Sequence, residues 1–431
     1  MKRVLLLAAL AATPAIAAPV AIIGATALTG VGEQRIENAT IIIDNGRITA
    51  IGSGLAVPAG ATRVDASGRI ITPGIIAAAS DLGISEVEGV RETNDAGARQ
   101  SAFSAALDLS TAINPNSLHF AINRMAGITR AVVMPGAGSN IFAGQGAVIS
   151  LAANGPTVTR ARAFQYVEMG ENGARLAGGS RPAAWAQLSN MLAEAARLAA
   201  NPAAFDRGQD SGSLTKRLDA EALGAVLAGR QPLLIHAQRA SDIREVLNLK
   251  AKYPALRPVL IGAREAWLVA ADIARAGVPV ITHSLYDLPD DFETLASSRN
   301  NPGHLQAAGV TVALGALGGI GGTTPVNLPG YAGNAVAQGT VPGGKGLTKG
   351  QALASITANP ARIFGLADLG TLAVGSRADV VIWDGDPLEL TSTPVAVYID
   401  GMAQPMRSRQ TDLANRYKAL GRTDLPLQYP R

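Results

Sequence analysis

Apolar residues recur in short, strand-like runs at both ends of the chain. Near the N-terminus, residues 39–43 and 47–51 are apolar and β-branched, and the Asp-Asn-Gly at 44–46 between them is typical of a tight hairpin turn. Near the C-terminus, residues 378–383 and 395–399 repeat the strand pattern. Two groups of strands that bracket a long middle predict one small β-sandwich domain built from both termini.

The middle of the chain, residues 73–366, alternates apolar strands with helical stretches, as a parallel α/β fold does. Its last helix is predicted to begin at Thr348, where Gln351 completes a capping box, and to stop before Gly365. Strands alternating with helices in this number predict a (β/α)8 TIM-like barrel, whose site lies at the C-terminal strand ends. The predicted strands are 70–78, 129–134, 147–151, 163–168, 232–236, 258–261, 278–282 and 310–314.

Composition narrows the class of protein. The chain has 431 residues, which suits a large barrel with a small appended domain. Apolar residues make up 48% and charged residues 16%, a balance that excludes a disordered chain. The net charge is only +4, and no run of Lys and Arg is interleaved with aromatic residues. We therefore expect no nucleic-acid partner.

The N-terminus has the pattern of a cleavable signal peptide. Lys2 and Arg3 precede an apolar run at 4–12, and Ala-Ile-Ala at 15–17 is a small-x-small cleavage site. The run is too short to span a membrane, so we expect export to the periplasm or beyond, with no membrane span after cleavage. The chain has no cysteine, which excludes disulfides and thiolate ligands. The expected organisation is a signal peptide at 1–18, sandwich segments at 19–72 and 367–405, a barrel at 73–366 and a C-terminal tail at 406–431.

Three motifs connect this sequence to a known family. Residues 370–383 read Gly-Thr-Leu-Ala-Val-Gly-Ser-Arg-Ala-Asp-Val-Val-Ile-Trp, residues 359–362 read Asn-Pro-Ala-Arg, and residues 73–83 read Pro-Gly-Ile-Ile-Ala-Ala-Ala-Ser-Asp-Leu-Gly. With them, nearly the whole mature chain resembles the amidohydrolase superfamily, and within it the imidazolonepropionase-like and Xaa-Pro dipeptidase-like branch. The resemblance implies the barrel with its small β domain.

The resemblance also implies a metal centre, which this sequence matches poorly. The superfamily typically hydrolyses substrates with metal held by a histidine pair on the first strand, a histidine on each of strands five and six, and an aspartate on strand eight. The equivalent positions here are Ala79, Asp81, His236, Gly262 and Leu317. A catalytic zinc needs about three protein ligands. We therefore expect a decayed metal site and no cofactor, or zinc only if an unusual site survives.

Candidate site residues follow from the same alignment of motifs. His236 and Asp81 are the candidate catalytic residues, although His236 could equally be a hydrogen-bonding pocket residue and Asp81 a solvated carboxylate. Gln238 stands where the family has a second histidine on strand five, and Tyr166 where some relatives have a lysine. The candidate substrate-binding residues are Tyr166, Gln238, Arg239, Arg264 and His283. The two arginines suit an anionic group such as a carboxylate, whereas Arg264 beside Glu265 could instead form a local ion pair.

The sequence thus predicts an exported pseudoenzyme, or non-catalytic subunit, that keeps a pocket for a small peptide-like or amide ligand. Such a chain could assemble as a homo-oligomer, or as a hetero-oligomer with an active amidohydrolase paralogue. Two alternatives stay open. One is an active hydrolase of C–N bonds with a mononuclear site around Asp81, His236 and His283, and the other is a solute-binding protein of the cell envelope.

Overall fold

The computed structural model describes residues 18–87, 89–203, 212–316 and 323–418 of the chain. The predicted signal peptide, apart from its last residue, lies outside these ranges, as do Leu317 and the end of the predicted tail. None of the helices in these ranges has the length and apolar character that a membrane crossing requires. The described residues form two sheets, each with its own core.

The first sheet combines strands from both ends of the chain, as the sequence predicts. Asn45 and Gly46 form the hairpin turn with positive φ angles of 49° and 77°, the backbone that Asn-Gly favours. The sheet packs around Ile22, Ile41 and Ile382. Its strands are β1 (Val20–Leu28), β2 (Arg35–Asp44), β3 (Arg47–Ser53), β4 (Thr62–Asp65), β5 (Ile70–Pro73), β14 (Val380–Trp383), β15 (Pro394–Ile399) and β16 (Met402–Ala403).

The second sheet is the barrel, and its strands are hydrogen-bonded in chain order from the first to the last. Each strand lies where an apolar run predicts one. The packed interior includes Ile76, Phe164 and Ile261. The strands are β6 (Ile75–Ser80), β7 (Ile128–Val133), β8 (Phe142–Ser150), β9 (Val158–Glu168), β10 (Leu233–Ala237), β11 (Pro258–Gly262), β12 (Val280–Thr282) and β13 (Val312–Leu314).

Three sequence predictions need correction in detail. β8 runs antiparallel to both β7 and β9, so this part of the barrel is a meander and not a helix-linked parallel unit. The predicted strand 70–78 is two strands, because Gly74 separates β5 in the first sheet from β6 in the barrel. The predicted final helix is likewise two helices, interrupted at Thr357, whose φ of −133° and ψ of −84° are not helical.

The α-helices cover the outside of the barrel. The capping box of Thr348 and Gln351 is present, and Gly365 ends the last barrel helix in the left-handed conformation, as predicted. In the described residues the α-helices are α1 (Leu118–Met125), α2 (Gly170–Leu176), α3 (Arg181–Ala200), α4 (Arg217–Leu227), α5 (Ala240–Lys252), α6 (Ala270–Ala276), α7 (Asn301–Ala307), α8 (Leu328–Ala337), α9 (Lys349–Ser355), α10 (Ala358–Phe364) and α11 (Arg409–Tyr417).

Arg130 joins the two sheets. It lies on β7, and its side chain is 2% exposed. Its Nε donates to Asp379 Oδ2 at 2.7 Å, and its Nη2 pairs with Asp400 Oδ1 at 2.8 Å. Both aspartates belong to the segment that carries β14 and β15, so the ion pair fixes the first sheet against the barrel.

Candidate active site

The carboxyl ends of barrel strands β9 to β12 surround a cavity of about 670 Å³. This is the end of a barrel at which functional sites lie. Polar side chains dominate the part of its wall nearest the strand ends. They include Glu168, His236, Gln238, Arg264, His283 and Glu293.

Glu168 and His236 form a buried pair at the floor of the cavity. β9 and β10 are parallel, and their register places Glu168 directly opposite His236. The Nδ1 of His236 lies 2.5 Å from Glu168 Oε1 and donates its proton to that carboxylate. Sequence reasoning missed Glu168. The signal was available, because both residues stand at the C-terminal ends of neighbouring strand predictions.

Two further side chains fix the Glu168 carboxylate. The Tyr166 hydroxyl donates to Oε2 at 2.9 Å, and the Asn172 side chain also hydrogen-bonds the carboxylate. Burial alone would raise the pKa of Glu168, but the His236 charge and these hydrogen bonds hold that pKa below its ordinary value. Burial alone would lower the pKa of His236, and the Glu168 carboxylate reverses that effect and raises it.

Gln238 occupies the other nitrogen of the His236 ring. Its Nε2 lies 3.0 Å from His236 Nε2 and donates to it when the ring is neutral. The orientation of the amide is fixed from the far side, because the backbone N–H of Arg264 donates to Gln238 Oε1 at 3.2 Å. The two ring nitrogens of His236 are therefore both engaged by side chains, Nδ1 by Glu168 and Nε2 by Gln238.

Gly262, the position equivalent to a ligand histidine, has a backbone that suits glycine. Its φ is +83°, a conformation that side-chain-bearing residues rarely adopt. A Cβ built there would lie 2.8 Å from Gln238 Oε1 and 2.9 Å from His236 Nε2. A histidine at this position would therefore displace the Gln238–His236 contact.

His283 and Arg264 share the opposite wall with aromatic rings. The His283 ring packs against Tyr286 and Tyr331, with ring centroids 4.7 and 4.4 Å away. Burial, together with the charge of Arg264, lowers the pKa of His283 to about 4. The Arg264 guanidinium lies 3.6 Å over the Tyr286 ring and donates to Asp290 Oδ2 at 2.7 Å.

Glu293 closes the cavity from the loop that follows β12. Its Oε2 accepts the backbone N–H of Glu171 at 2.7 Å and an N–H of Arg181 at 3.0 Å. Burial raises the pKa of Glu293 above its ordinary value, although these contacts oppose the rise. Gly170 is required beside it, because a Cβ there would lie 2.3 Å from Glu293 Oε2.

The structure brings most of the predicted site residues together. Five of the predicted residues line the cavity, namely Tyr166, His236, Gln238, Arg264 and His283. Asp81 is half-buried just after β6 and is not part of the lining. Arg239 is also outside it, with its Nε bonded to Ser241 Oγ at 2.6 Å. Ala79 is buried in the barrel core, and Leu317 lies outside the described residues.

The residues of the cavity do not fit the zinc centre that the resemblance implies. Zinc is held by about three nitrogen, sulfur or oxygen ligands near 2 Å. Ala79 and Gly262 carry no donor, and the Nε2 of His236 contacts Gln238. Among the described residues, no three His, Asp or Glu side chains are grouped in a way that could hold a metal ion.

Comparisons of sequence find amidohydrolase relatives. A family model described as the amidohydrolase family matches residues 203–411. The amidohydrolase tasK of Hapsidospora irregularis is 26% identical over an alignment of 404 positions, which covers 84% of this chain and 39% of that protein. An imidazolonepropionase of Cereibacter sphaeroides is 34% identical over 164 residues, 38% of either chain. The matched regions thus span about two fifths of these relatives' lengths.

Comparisons of structure support the fold. An amidohydrolase from Thermotoga maritima superposes with a TM-score of 0.78 at 22% identity, covering 90% of this chain and 100% of the other. An adenosine deaminase from Xanthomonas campestris, solved with bound zinc, superposes with a TM-score of 0.55 at 15% identity, covering 93% and 97%. At these identities the likeness concerns the fold, a TIM-like barrel with an additional sheet domain.

Proposed function

This chain belongs to the amidohydrolase superfamily, and on that premise we propose that it is a member without metal-dependent hydrolysis. In this proposal the chain is a pseudoenzyme or non-catalytic subunit, and its cavity binds a small peptide-like or amide ligand. Fold alone does not decide between an enzyme and a binding protein, since function belongs to the site. The cavity residues therefore decide between hydrolysis and ligand binding.

The contact between Gln238 and His236 carries the proposal. A histidine ligates metal through an unprotonated ring nitrogen. In the neutral ring Nδ1 carries a proton that it donates to Glu168, and the one lone pair, on Nε2, accepts from Gln238. The raised pKa of His236 adds to this effect, because a protonated Nε2 cannot ligate either. Metal would have to displace a proton or an amide that the Arg264 backbone holds in place.

An active hydrolase with a mononuclear site around Asp81, His236 and His283 has less support. The two histidines line the cavity, but Asp81 does not. The Glu168–His236 pair could in principle move a proton, yet its cavity-facing nitrogen is covered by Gln238. We therefore rank ligand binding above hydrolysis.

The test is the metal content and activity of protein lacking residues 1–18 and purified without chelator. Elemental mass spectrometry should find zinc, manganese and iron far below one ion per chain. Dipeptides and cyclic amides should not be hydrolysed when zinc is added. The opposite result would be near-stoichiometric metal with turnover, both lost in His236→Ala and kept in His304→Ala. His304 is a suitable control because it stacks on Trp267, outside the cavity.

A further inference from the structure

Arg264 is held in the cavity wall in a way that leaves its charge available. Its side chain is 13% exposed, whereas that of its ion-pair partner Asp290 is 54% exposed. An ion pair with so exposed a partner contributes little energy, because solvent screens it. The stack on Tyr286 meanwhile fixes the plane of the guanidinium. A buried anion could therefore replace or join Asp290 at modest cost.

His283 presents a neutral hydrogen-bond donor beside this charge. Its Nδ1 accepts the backbone N–H of Leu285 at 3.0 Å, so the ring proton of the neutral form is on Nε2. The rings of Tyr286 and Tyr331 pack against the imidazole and keep it in place. Within the described part of the chain, no hydrogen bond from Nε2 is present. Protonation is unfavourable here, so the ring stays a donor of a single proton from this atom.

We propose that Arg264 and His283 form a subsite for the carboxylate of the small peptide-like ligand. This inference rests on the proposed function and names the chemistry that its cavity recognises. A guanidinium matches a carboxylate with two parallel N–H bonds, and the imidazole Nε2–H supplies a further donor. Both groups line the same cavity, and the charge of Arg264 reaches His283.

The remaining charges of the cavity make this subsite distinctive. Carboxylates outnumber guanidinium groups in the lining. The carboxylates are Glu168, Glu171, Asp291 and Glu293, and the guanidinium groups are Arg175 and Arg264. The overall field should therefore favour a cationic ligand over an otherwise identical zwitterion. A preference for the ligand that carries a carboxylate would have to come from local contacts, and Arg264 with His283 offers them.

The experiment compares L-alanyl-L-alanine with its C-terminal amide by isothermal titration calorimetry. The two probes differ only in the carboxylate. We expect the acid to bind about tenfold more tightly than the amide, as two charge-assisted hydrogen bonds would give. The titrated protein is the full chain without residues 1–18, and product analysis by mass spectrometry reports any hydrolysis.

Three variants assign the preference to its residues. Arg264→Gln should abolish the preference for the acid. Asp290→Asn should strengthen acid binding several-fold and leave amide binding unchanged, because it frees the guanidinium from its exposed competitor. Arg275→Gln is the matched control, since that arginine is exposed, pairs with Asp272 and lies outside the cavity, and it should change neither affinity. His283→Phe, which keeps an aromatic ring beside the tyrosines, should weaken only the acid.

Several outcomes would overturn the subsite. They are equal binding of acid and amide, a preference that survives Arg264→Gln, weaker acid binding in Asp290→Asn, and no binding of either dipeptide. The Asp290→Asn arm guards against misfolding, because a merely structural role for Arg264 predicts no gain from it. Failure of the proposed function is separately visible. Stoichiometric metal with dipeptide hydrolysis would contradict the proposed function. The carboxylate preference would then be measured as the difference in KM between the acid and the amide.

Discussion

The His236 ring meets a different partner at each nitrogen, a carboxylate at Nδ1 and an amide at Nε2. The carboxylate stabilises the imidazolium, and the amide suits the neutral ring. When the ring becomes charged, its Nε2–H needs an acceptor, and Gln238 can offer its Oε1 only by giving up the Arg264 N–H. Neither the neutral nor the protonated ring offers a free lone pair to a metal ion. Gln238 therefore opposes metal binding at His236, in addition to the loss of the other ligand histidines.

Glu168→Gln should change how stability depends on pH. Glu168 raises the folded-state pKa of His236, so the pair stabilises the fold below the unfolded histidine pKa, and this contribution is lost as pH rises through the raised value. Glu293, which also raises this pKa, and Arg264, which lowers it, are unchanged. The difference in unfolding free energy between wild type and variant should be larger at about pH 6 than at about pH 9.

Urea denaturation across this pH range measures that difference. Glu221→Gln is the control, because Glu221 pairs with Arg217 on an exposed helix face, and it should show no such pH dependence. A difference between wild type and Glu168→Gln that stays constant, or grows with pH, would contradict the assigned pairing.

The sequence identifies five of the residues that line the cavity but not the contacts among them. His236, Gln238, Arg264 and His283 follow predicted strand ends, where parallel strands of a barrel present their functional side chains. Glu168 was missed because motif comparison directed attention to Tyr166, two residues earlier on the same strand. Asp81 follows β6 but is not part of the cavity lining, and its catalytic role stays a prediction.

Among the elements, the junction between barrel and first sheet combines an apolar cluster with one buried cation. Arg130 on β7 contacts Asp379 and Asp400, and Asp379 is only 3% exposed. Removing one member of a buried ion pair leaves an uncompensated charge, which is strongly destabilising. Asp379 belongs to the motif at 370–383, so this motif supplies one of the residues that hold the two sheets together.

Arg130→Met should lower the free energy of unfolding by about 3–5 kcal/mol, because Asp379 would stay buried without its partner. Arg35→Met provides the comparison in the first sheet, since Arg35 and Glu37 form an exposed pair whose loss should cost about 0–1 kcal/mol. Urea denaturation of both variants tests the contrast. Equal and small losses would show that the Arg130 pair does not join the sheets energetically.

Strand positions were predictable, whereas strand directions were not. Each apolar run predicts a buried strand, and such a run can occur in a parallel or in an antiparallel sheet. The run therefore gives the position of the strand but not its direction. The reversal of β8 depends on its hydrogen bonds to β7 and β9, which no local pattern records. The break at Thr357 could have been predicted, because Pro360 would clash with the Ile356 carbonyl inside a continuous helix but is tolerated in the first turn of a new one.

At the scale of the whole molecule, the barrel is stable without a metal in this account. Its core is apolar, and its cavity polar groups are bonded to one another, as the Glu168–His236–Gln238 contacts show. The family and the fold were accessible from sequence motifs. Export directed by residues 1–18 and an active paralogous partner stay predictions, because residues 1–17 lie outside the described ranges and the partner would be a second chain.

Chelation should therefore leave thermal stability unchanged. We expect the unfolding midpoint in differential scanning calorimetry to be the same with and without EDTA, because ligand binding to the folded state would otherwise raise it. Added zinc should not raise the midpoint either. A midpoint that falls on chelation and recovers with zinc would indicate a bound metal that supports the fold.

The most direct test of the central claim observes the His236 ring itself. The chain has four histidines, so selective ¹⁵N-histidine labelling gives few ring signals, and His236→Ala assigns one of them. At a pH above the titration of the ring, we expect a neutral ring with its proton on Nδ1 and ring signals that do not change when equimolar zinc is added. A shift of the Nε2 resonance on zinc addition that is absent from the His304 ring would contradict it. That result would make His236 a metal ligand and the chain a candidate hydrolase.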